Sequence, residues 1–221
     1  MTSLIDPKSE TLMTQRAQIS HARFLGSLAV AATAAALLLP ELAAAQTVPG
    51  NAHPTPMTAD LASRSQDIHW PQGFDPATAA LFAHNEVRIN AKCERVWNHL
   101  IEAKAWPTWY PNAQKVKLMH TYATSLKEGT VFLWETFGQL LESKVNEFVP
   151  SSRIGWYGAA PDATPTFYHT FYMTSDGDGC RVVTEEAGNG PVATYLRKTD
   201  ESAMHRGHDL WLASLKGISE K

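Results

Sequence analysis

The chain has 221 residues, a formal net charge of -3 and a pI near 6.3. This slightly negative net charge excludes a nucleic-acid-binding surface, which needs an excess of basic side chains to neutralise phosphates. Nearly all of the seven Trp, six Tyr and eight Phe follow Ile68, so the folded, aromatic-rich part of the protein is predicted there.

The N-terminal segment has the layout of a signal peptide. Residues Phe24–Leu39 carry no charge, follow basic residues and precede Pro40 and a run of small residues. The apolar run is short and rich in alanine, whereas a membrane span needs about 20 strongly apolar residues. We therefore predict a signal peptide over residues 1–45, cleavage after Ala45, a periplasmic or secreted protein, and no stable membrane span after cleavage. The alternative is an uncleaved N-terminal anchor.

Residues 46–80 are rich in Pro, Ala and Thr and show neither helical nor strand periodicity. They are predicted as a linker or a surface arm. Trp70 and Phe74 near its end are expected to pack on the following domain, residues 81–221, because a large aromatic side chain is rarely left in water.

The domain begins with a predicted strand, Leu81–Ile89, whose small and apolar residues alternate with larger polar ones. A helix follows over Cys93–Ala103, where apolar residues recur at helical spacing. Trp106-Pro107 breaks it, because the residue before proline avoids the helical region. A short helix or turn over Thr108–Asn112 carries Trp109 and Tyr110.

Six further strands are predicted between turn residues. In Gln139–Phe148, apolar and charged residues alternate, which is typical of an antiparallel sheet with one covered face. The sequence Asp-Gly-Asp-Gly at 176–179 predicts a tight hairpin. The six strands are Lys115–Tyr122, Thr130–Phe137, Gln139–Phe148, Ile154–Gly158, Phe167–Met173 and Arg181–Glu186.

The chain ends in one long predicted helix, Pro191–Ile218. Proline suits its first turn, and one helical stripe is apolar or small. The stripe consists of Val192, Leu196, Ala203, Gly207, Leu210, Trp211 and Leu215.

The order of elements, together with several loose motifs, resembles the START-like or SRPBCC superfamily, in its polyketide cyclase/dehydrase and lipid-transport group. The motifs are AKCERVWNHL at 91–100, WPxWxP at 106–111, GxVFxW at 129–134 and VVTEE at 182–186. The resemblance implies an α+β helix-grip fold, in which a curved antiparallel sheet of about seven strands wraps around the C-terminal helix. It also implies a cavity between sheet and helix that holds a small apolar ligand.

The resemblance further implies a disulfide candidate. In that family the first and last strands run antiparallel, so Cys93, after the first strand, and Cys180, at the start of the last, lie close together. An exported protein meets an oxidising compartment, and the even number of cysteines leaves no spare thiol.

Strand alternation predicts which side chains face the cavity. The inward set is Phe132, Trp134, Leu141, Ser143, Val145, Ile154, Trp156, His169, Phe171, Met173, Val182 and Thr184. The predicted ligand-binding residues are Trp109, Tyr110, Phe132, Trp134, Val145, Trp156, His169, Phe171, Thr184, Met204 and His208. The alternative is that these residues only fill a core.

Three histidines, His169, His205 and His208, are candidate acid–base groups, and His169 and His208 are the catalytic candidates. The alternative is a structural role for each. His205 and His208 lie three apart on a helix, but no third ligand follows at motif spacing, so we predict no metal and no cofactor. Glu147, Glu185 and Glu186 include a candidate semi-buried carboxylate. The sequence has no serine-hydrolase elbow and no nucleotide-binding loop.

These observations favour an exported binding or carrier protein for a small lipid-like or aromatic ligand. The alternative is a cofactor-free cyclase or dehydratase with His169 or His208 as its base, so enzymatic activity is left open. A protein-interaction module is a weaker third class for an exported chain.

Overall fold

The computed structural model describes residues 57–120 and 122–221, so the predicted signal peptide lies outside the described residues. Within these residues, seven strands and four α-helices form the fold. The strands are β1 (Leu81–Ile89), β2 (Gln114–Leu118), β3 (Val131–Thr136), β4 (Gln139–Val149), β5 (Arg153–Ala159), β6 (Phe167–Asp176) and β7 (Gly179–Gly188). The helices are α1 (Met57–Ser63), α2 (Cys93–Ile101), α3 (Gly190–Thr199) and α4 (Ala203–Ser219), with a 3₁₀ helix at Ala103–Thr108.

The strands form one antiparallel sheet in the order β1-β7-β6-β5-β4-β3-β2. Each strand from β2 to β6 pairs with the strand that follows it in sequence, and β7 pairs with β1. Helix α4 packs against β1 and α2 on the inner face of this sheet. The fold confirms the predicted helix-grip architecture, with two short helical segments directly after the first strand.

The predicted long C-terminal helix is two helices, which corrects the sequence prediction. Backbone bonding from Asp200 N to Leu196 O ends α3, and α4 begins at Ala203. The break turns α3 so that Ala193 is buried while Val192, predicted on the packed stripe, is 58% exposed. No helix within the described ranges is long and apolar enough to cross a lipid bilayer.

Residues 57–74 pack on the outer face of the sheet. The segment includes α1, which sequence periodicity did not predict because seven residues span only two turns. Its buried side chains Met57 and Phe74 join Phe82, Tyr168 and Ala187 in an apolar cluster. The β1-β7-β6 side of the sheet is therefore covered on both faces.

Helix α1 is also anchored to α4 by an ion pair. The carboxylate of Asp60, which is 3% exposed, lies 2.9 Å from Nδ1 of His205. Burial alone lowers the pKa of His205, but the hydrogen bond and charge of Asp60, with the charge of Asp209, outweigh burial and raise this pKa above 6.5. The folded state therefore favours protonated His205.

This pair predicts a pH-dependent stability difference between the wild type and Asp60→Asn. Because the pKa of His205 is raised on folding, its contribution is complete below the ordinary pKa of 6.5 and is lost as pH rises through the folded value. We expect the variant to lose about 1 kcal/mol at about pH 5.5 and less at about pH 9, measured by urea unfolding. A larger loss at the alkaline pH would contradict this assignment.

The two cysteines form a disulfide between the start of α2 and β7, with Cα atoms 4.9 Å apart. Ile89, the last residue of β1, pairs directly with Cys180 of β7. The short turn from β1 into α2 then brings Cys93 beside it.

Candidate functional site

The space between the sheet and α4 is filled with aromatic side chains. Trp106 lies at its centre, with ring centroids 5.3 Å from Trp134 and 5.2 Å from Trp211. Tyr110 stacks on Trp211, with ring centroids 4.5 Å apart. The rings, each 3% exposed or less, are Trp106, Tyr110, Phe132, Trp134, Trp156, Phe171 and Trp211.

Aromatic side chains that are almost fully buried thus occupy much of the space where the cavity is predicted. Trp106, which the sequence analysis named as the residue before a helix-breaking proline and as part of the WPxWxP motif, lies in the middle of them. Its indole Nε1 donates to the carbonyl oxygen of Leu100 at 2.9 Å, and this bond holds the ring in the interior.

Most residues of the predicted ligand-binding set border this interior. Phe132, Trp134, Val145, Trp156 and Phe171 belong to its core, and Trp109 packs at its edge. Met204 does not, because it packs with Leu81, Ala83 and Ala193 in a separate cluster. Of the remaining members, Tyr110 belongs to the same core, and His169, Thr184 and His208 lie together beside the aromatic rings.

A buried polar cluster of His169, Glu186 and His208 adjoins the rings. His169 on β6 and Glu186 on β7 are directly paired across the strands, and α4 supplies His208. Glu186 Oε2 lies 3.1 Å from Nε2 of His208 and 4.0 Å from Nδ1 of His169. The two imidazole rings stack 4.6 Å apart at an angle of 11°.

Neighbouring side chains fix the protonated nitrogen of His169. The hydroxyl of Thr184 donates its single hydrogen to the carbonyl oxygen of Thr170, at 2.8 Å. The oxygen of the same hydroxyl lies 2.8 Å from Nε2 of His169 and must therefore accept a hydrogen from this nitrogen. Nε2 of His169 carries the hydrogen, and Nδ1 of the neutral ring presents its lone pair toward Glu186.

Asn85 fixes, in the same way, the hydrogen on Nδ1 of His208. Its amide nitrogen donates to the carbonyl oxygen of His205 at 3.1 Å and to Asp209 at 2.8 Å, which identifies the other amide atom as oxygen. That oxygen lies 3.2 Å from Nδ1 of His208 and accepts its hydrogen. Nε2 of His208 therefore also faces Glu186.

Burial sets the protonation of two groups here. Burial, and next the charge of His208, lower the pKa of His169 well below 6.5, so this imidazole is neutral near neutral pH. Burial also raises the pKa of the Tyr110 hydroxyl, against the lowering effect of the neighbouring Asn112 and Thr136 side chains, and the Glu186 charge adds to the increase. Tyr110 is therefore a neutral phenol and not an anion.

The other acidic candidates lie away from this cluster. Glu185 bonds His84 at 2.6 Å and the backbone nitrogen of Ser65 at 2.5 Å, beneath the segment 57–74. Glu147 accepts from Tyr172 at 2.8 Å and pairs with His69. Of the three glutamates named from the sequence, Glu186 is the one that joins the interior.

Sequence reasoning missed Trp106, Trp211 and Asn85 as site residues. For two of them, the sequence contained a feature from which a site role could have been predicted. Asn85 is the polar residue in the middle of the apolar face of β1, and Trp211 lies three residues after His208 on the same helix. The sequence contained no such feature for Trp106, because its role depends on where the 3₁₀ helix lies against the sheet.

A seven-stranded sheet gripping a C-terminal helix, with an aromatic interior and an inner polar cluster, defines a START-like helix-grip protein. Residues 83–217 match the family described as polyketide cyclase / dehydrase and lipid transport. The chain belongs to that family, whose fold is of the hydrophobic-ligand-binding or cyclase type. Among curated proteins, none matches this chain.

Two solved structures place the fold among known proteins. A hypothetical protein of Helicobacter pylori, jhp0584, is 32% identical over 71% of this chain and 98% of its own, with a TM-score of 0.64. The Zhui aromatase/cyclase of Streptomyces sp. R1128 is 14% identical over 63% of this chain and 93% of its own, with a TM-score of 0.51. The second similarity shows the fold alone.

Proposed function

We propose that the chain is an exported protein that binds a small aromatic or lipid-like molecule between the sheet and α4. The observation that carries this proposal is the indole N–H of Trp211. It is buried among the rings, and no residue in the described part of the chain accepts its hydrogen. A buried donor without an acceptor costs about 1 to 3 kcal/mol, which a ligand oxygen beside it would recover.

Entry of a ligand requires that a ring move. Tyr110 is the best candidate, because it lies in the segment 109–113 between the 3₁₀ helix and β2. Its contact with Trp211 is a ring stack, and such pairs contribute about 0.5 to 1.5 kcal/mol beyond area burial. A guest of similar apolar area would replace most of the burial that is lost when Tyr110 swings out.

The polar cluster gives the ligand an orientation. His169 contacts the aromatic wall at Trp156, with ring centroids 5.1 Å apart, and Trp211, at 5.3 Å. Glu186 is 19% exposed at its side chain. A molecule with an apolar body and one polar end would bury its body against the rings and direct its polar end toward this cluster.

The proposal that the protein is exported rests on two separate observations. Residues 1–45 have the layout of a signal peptide, and the Cys93–Cys180 disulfide suits an oxidising compartment. N-terminal sequencing of the mature protein tests the proposed cleavage after Ala45.

Native mass spectrometry tests ligand binding. We expect the purified protein to carry an apolar molecule, or to take up one equivalent of 2-naphthol or myristate. Trp211→Leu should weaken uptake by about tenfold or more, because it removes the indole donor and one wall of the site. Trp70→Leu on the outer face is the matched control and should bind like the wild type. Equal loss in both variants, or no uptake by the folded wild type, would contradict the proposal.

A second candidate function is favoured by the neutral state of His169. A cofactor-free cyclase or dehydratase needs a base that is unprotonated near neutral pH, and burial provides one here. His169→Gln should then abolish turnover of an aromatic polyketone while binding is retained. Retained turnover in this variant would exclude the His169 mechanism.

A further inference from the structure

We propose that His169, Glu186 and His208 form a binding site for one divalent transition-metal ion, with Zn²⁺ as the first candidate. Among the described residues these three bring a ligand atom each to within 4.8 Å of one another. This proposal goes beyond the proposed function and does not depend on it. It also differs from the sequence expectation, which found no third ligand beside His205 and His208 and predicted no metal.

The donor set suits such an ion. Two imidazole nitrogens and one carboxylate oxygen are borderline ligands that bind Zn²⁺, and the same set holds Fe²⁺ in non-haem sites. Zn²⁺ bonds nitrogen and carboxylate oxygen at about 2.0 to 2.2 Å, so its ligands lie about 3 to 4 Å apart. Glu186 Oε2 is 3.1 Å from Nε2 of His208 and 4.0 Å from Nδ1 of His169, so a tilt of the stacked rings would bring all three atoms to one ion.

The hydrogen bonds around the cluster are an independent argument. Thr184 accepts a hydrogen from Nε2 of His169, and Asn85 accepts one from Nδ1 of His208. These two nitrogens point away from Glu186. The inner nitrogens, Nδ1 of His169 and Nε2 of His208, both face the carboxylate of Glu186. An outer hydrogen-bond partner on each imidazole is the usual companion of a metal-bound histidine, so both rings are already held as a metal ligand would be.

The surroundings separate this cluster from an ordinary surface group of acids and histidines. The side chains of His169 and His208 are 6% and 4% exposed, whereas Glu186 is 19% exposed and leaves a route from solvent. Three protein ligands leave at least one coordination position for water or for an oxygen atom of a guest. His205 is outside the cluster because its ring bonds Asp60.

Calorimetric titration of the untagged, chelator-treated protein with ZnCl₂ tests the site. We expect one equivalent to bind, and binding to be lost in Glu186→Gln and His208→Gln. Thr184→Val, which removes the outer partner of His169, should weaken Zn²⁺ binding by about 10- to 100-fold. His205→Gln, on the same helix but outside the cluster, is the control and should bind Zn²⁺ like the wild type.

The Co²⁺-substituted wild type keeps the test independent of how the variants fold. We expect two exchangeable, hyperfine-shifted NMR signals, from Nε2–H of His169 and Nδ1–H of His208. A folded wild type that binds no Zn²⁺, or variants of the cluster that bind it unchanged, would overturn the proposal. Uptake of 2-naphthol or myristate is measured without metal, so failure of the metal site is distinguishable from failure of the proposed function.

Discussion

Trp106→Ala is expected to lower the free energy of unfolding by about 3 to 5 kcal/mol, the usual cost of removing a fully buried large aromatic side chain. Trp106 is 0% exposed, and four aromatic rings lie around it, those of Phe132, Trp134, Trp156 and Trp211. The substitution also leaves the backbone carbonyl of Leu100 without its indole donor. Urea unfolding followed by circular dichroism measures the difference.

The same variant provides a binding test. An apolar cavity that forms inside a packed core binds small aromatic molecules, so indole should restore part of the lost stability of Trp106→Ala and leave the wild type unchanged. Tyr195→Ala is the control, because Tyr195 is 56% exposed and its removal should change stability by no more than about 0.5 kcal/mol. A loss below about 1 kcal/mol in Trp106→Ala would contradict the central position of this ring.

Removal of the disulfide is the second prediction with a large effect. The bond joins residues 87 apart in sequence, and a loop of that length restricts the unfolded chain by about 4 to 5 kcal/mol on the chain-entropy account. We expect the double variant Cys93→Ala/Cys180→Ala to lose about that much unfolding free energy. Reduction of the wild type should destabilise it comparably, and should not affect the double variant.

Thiol labelling of the unreduced, denatured wild type is the direct check on the bond itself. The disulfide predicts no free thiol, whereas two labelled cysteines would contradict it. A double variant as stable as the wild type would show instead that the bond forms but does not restrict the unfolded state.

The strands of the sheet could be predicted well from the sequence, because residues that face the interior alternate with residues that face outward. In β3, Phe132 and Trp134 are buried while Leu133 and Glu135 are only partly so. The family resemblance then supplied the antiparallel pairing of the first strand with the last. Helix α1 and the break between α3 and α4 could not be predicted, since both depend on tertiary contacts of short segments.

The candidate site was predictable only in part. Alternation placed His169 and Thr184 on the inner face, and the same rule assigns Glu186 to that face. The register that sets His169 opposite Glu186, and the rotation of α4 that adds His208, are properties of the folded chain. The closing of the interior by Trp106 depends on a 3₁₀ helix whose position no local pattern specifies.

The most direct test of ligand binding between the sheet and α4 is an NMR titration of the ¹⁵N-labelled tryptophan side chains with 2-naphthol or myristate. Binding at this site should shift the indole N–H signal of Trp211 and leave that of Trp70, which packs against Phe82 and Tyr168 on the outer face, unchanged. A saturable shift of the Trp70 signal, with that of Trp211 unmoved, would contradict the proposed site.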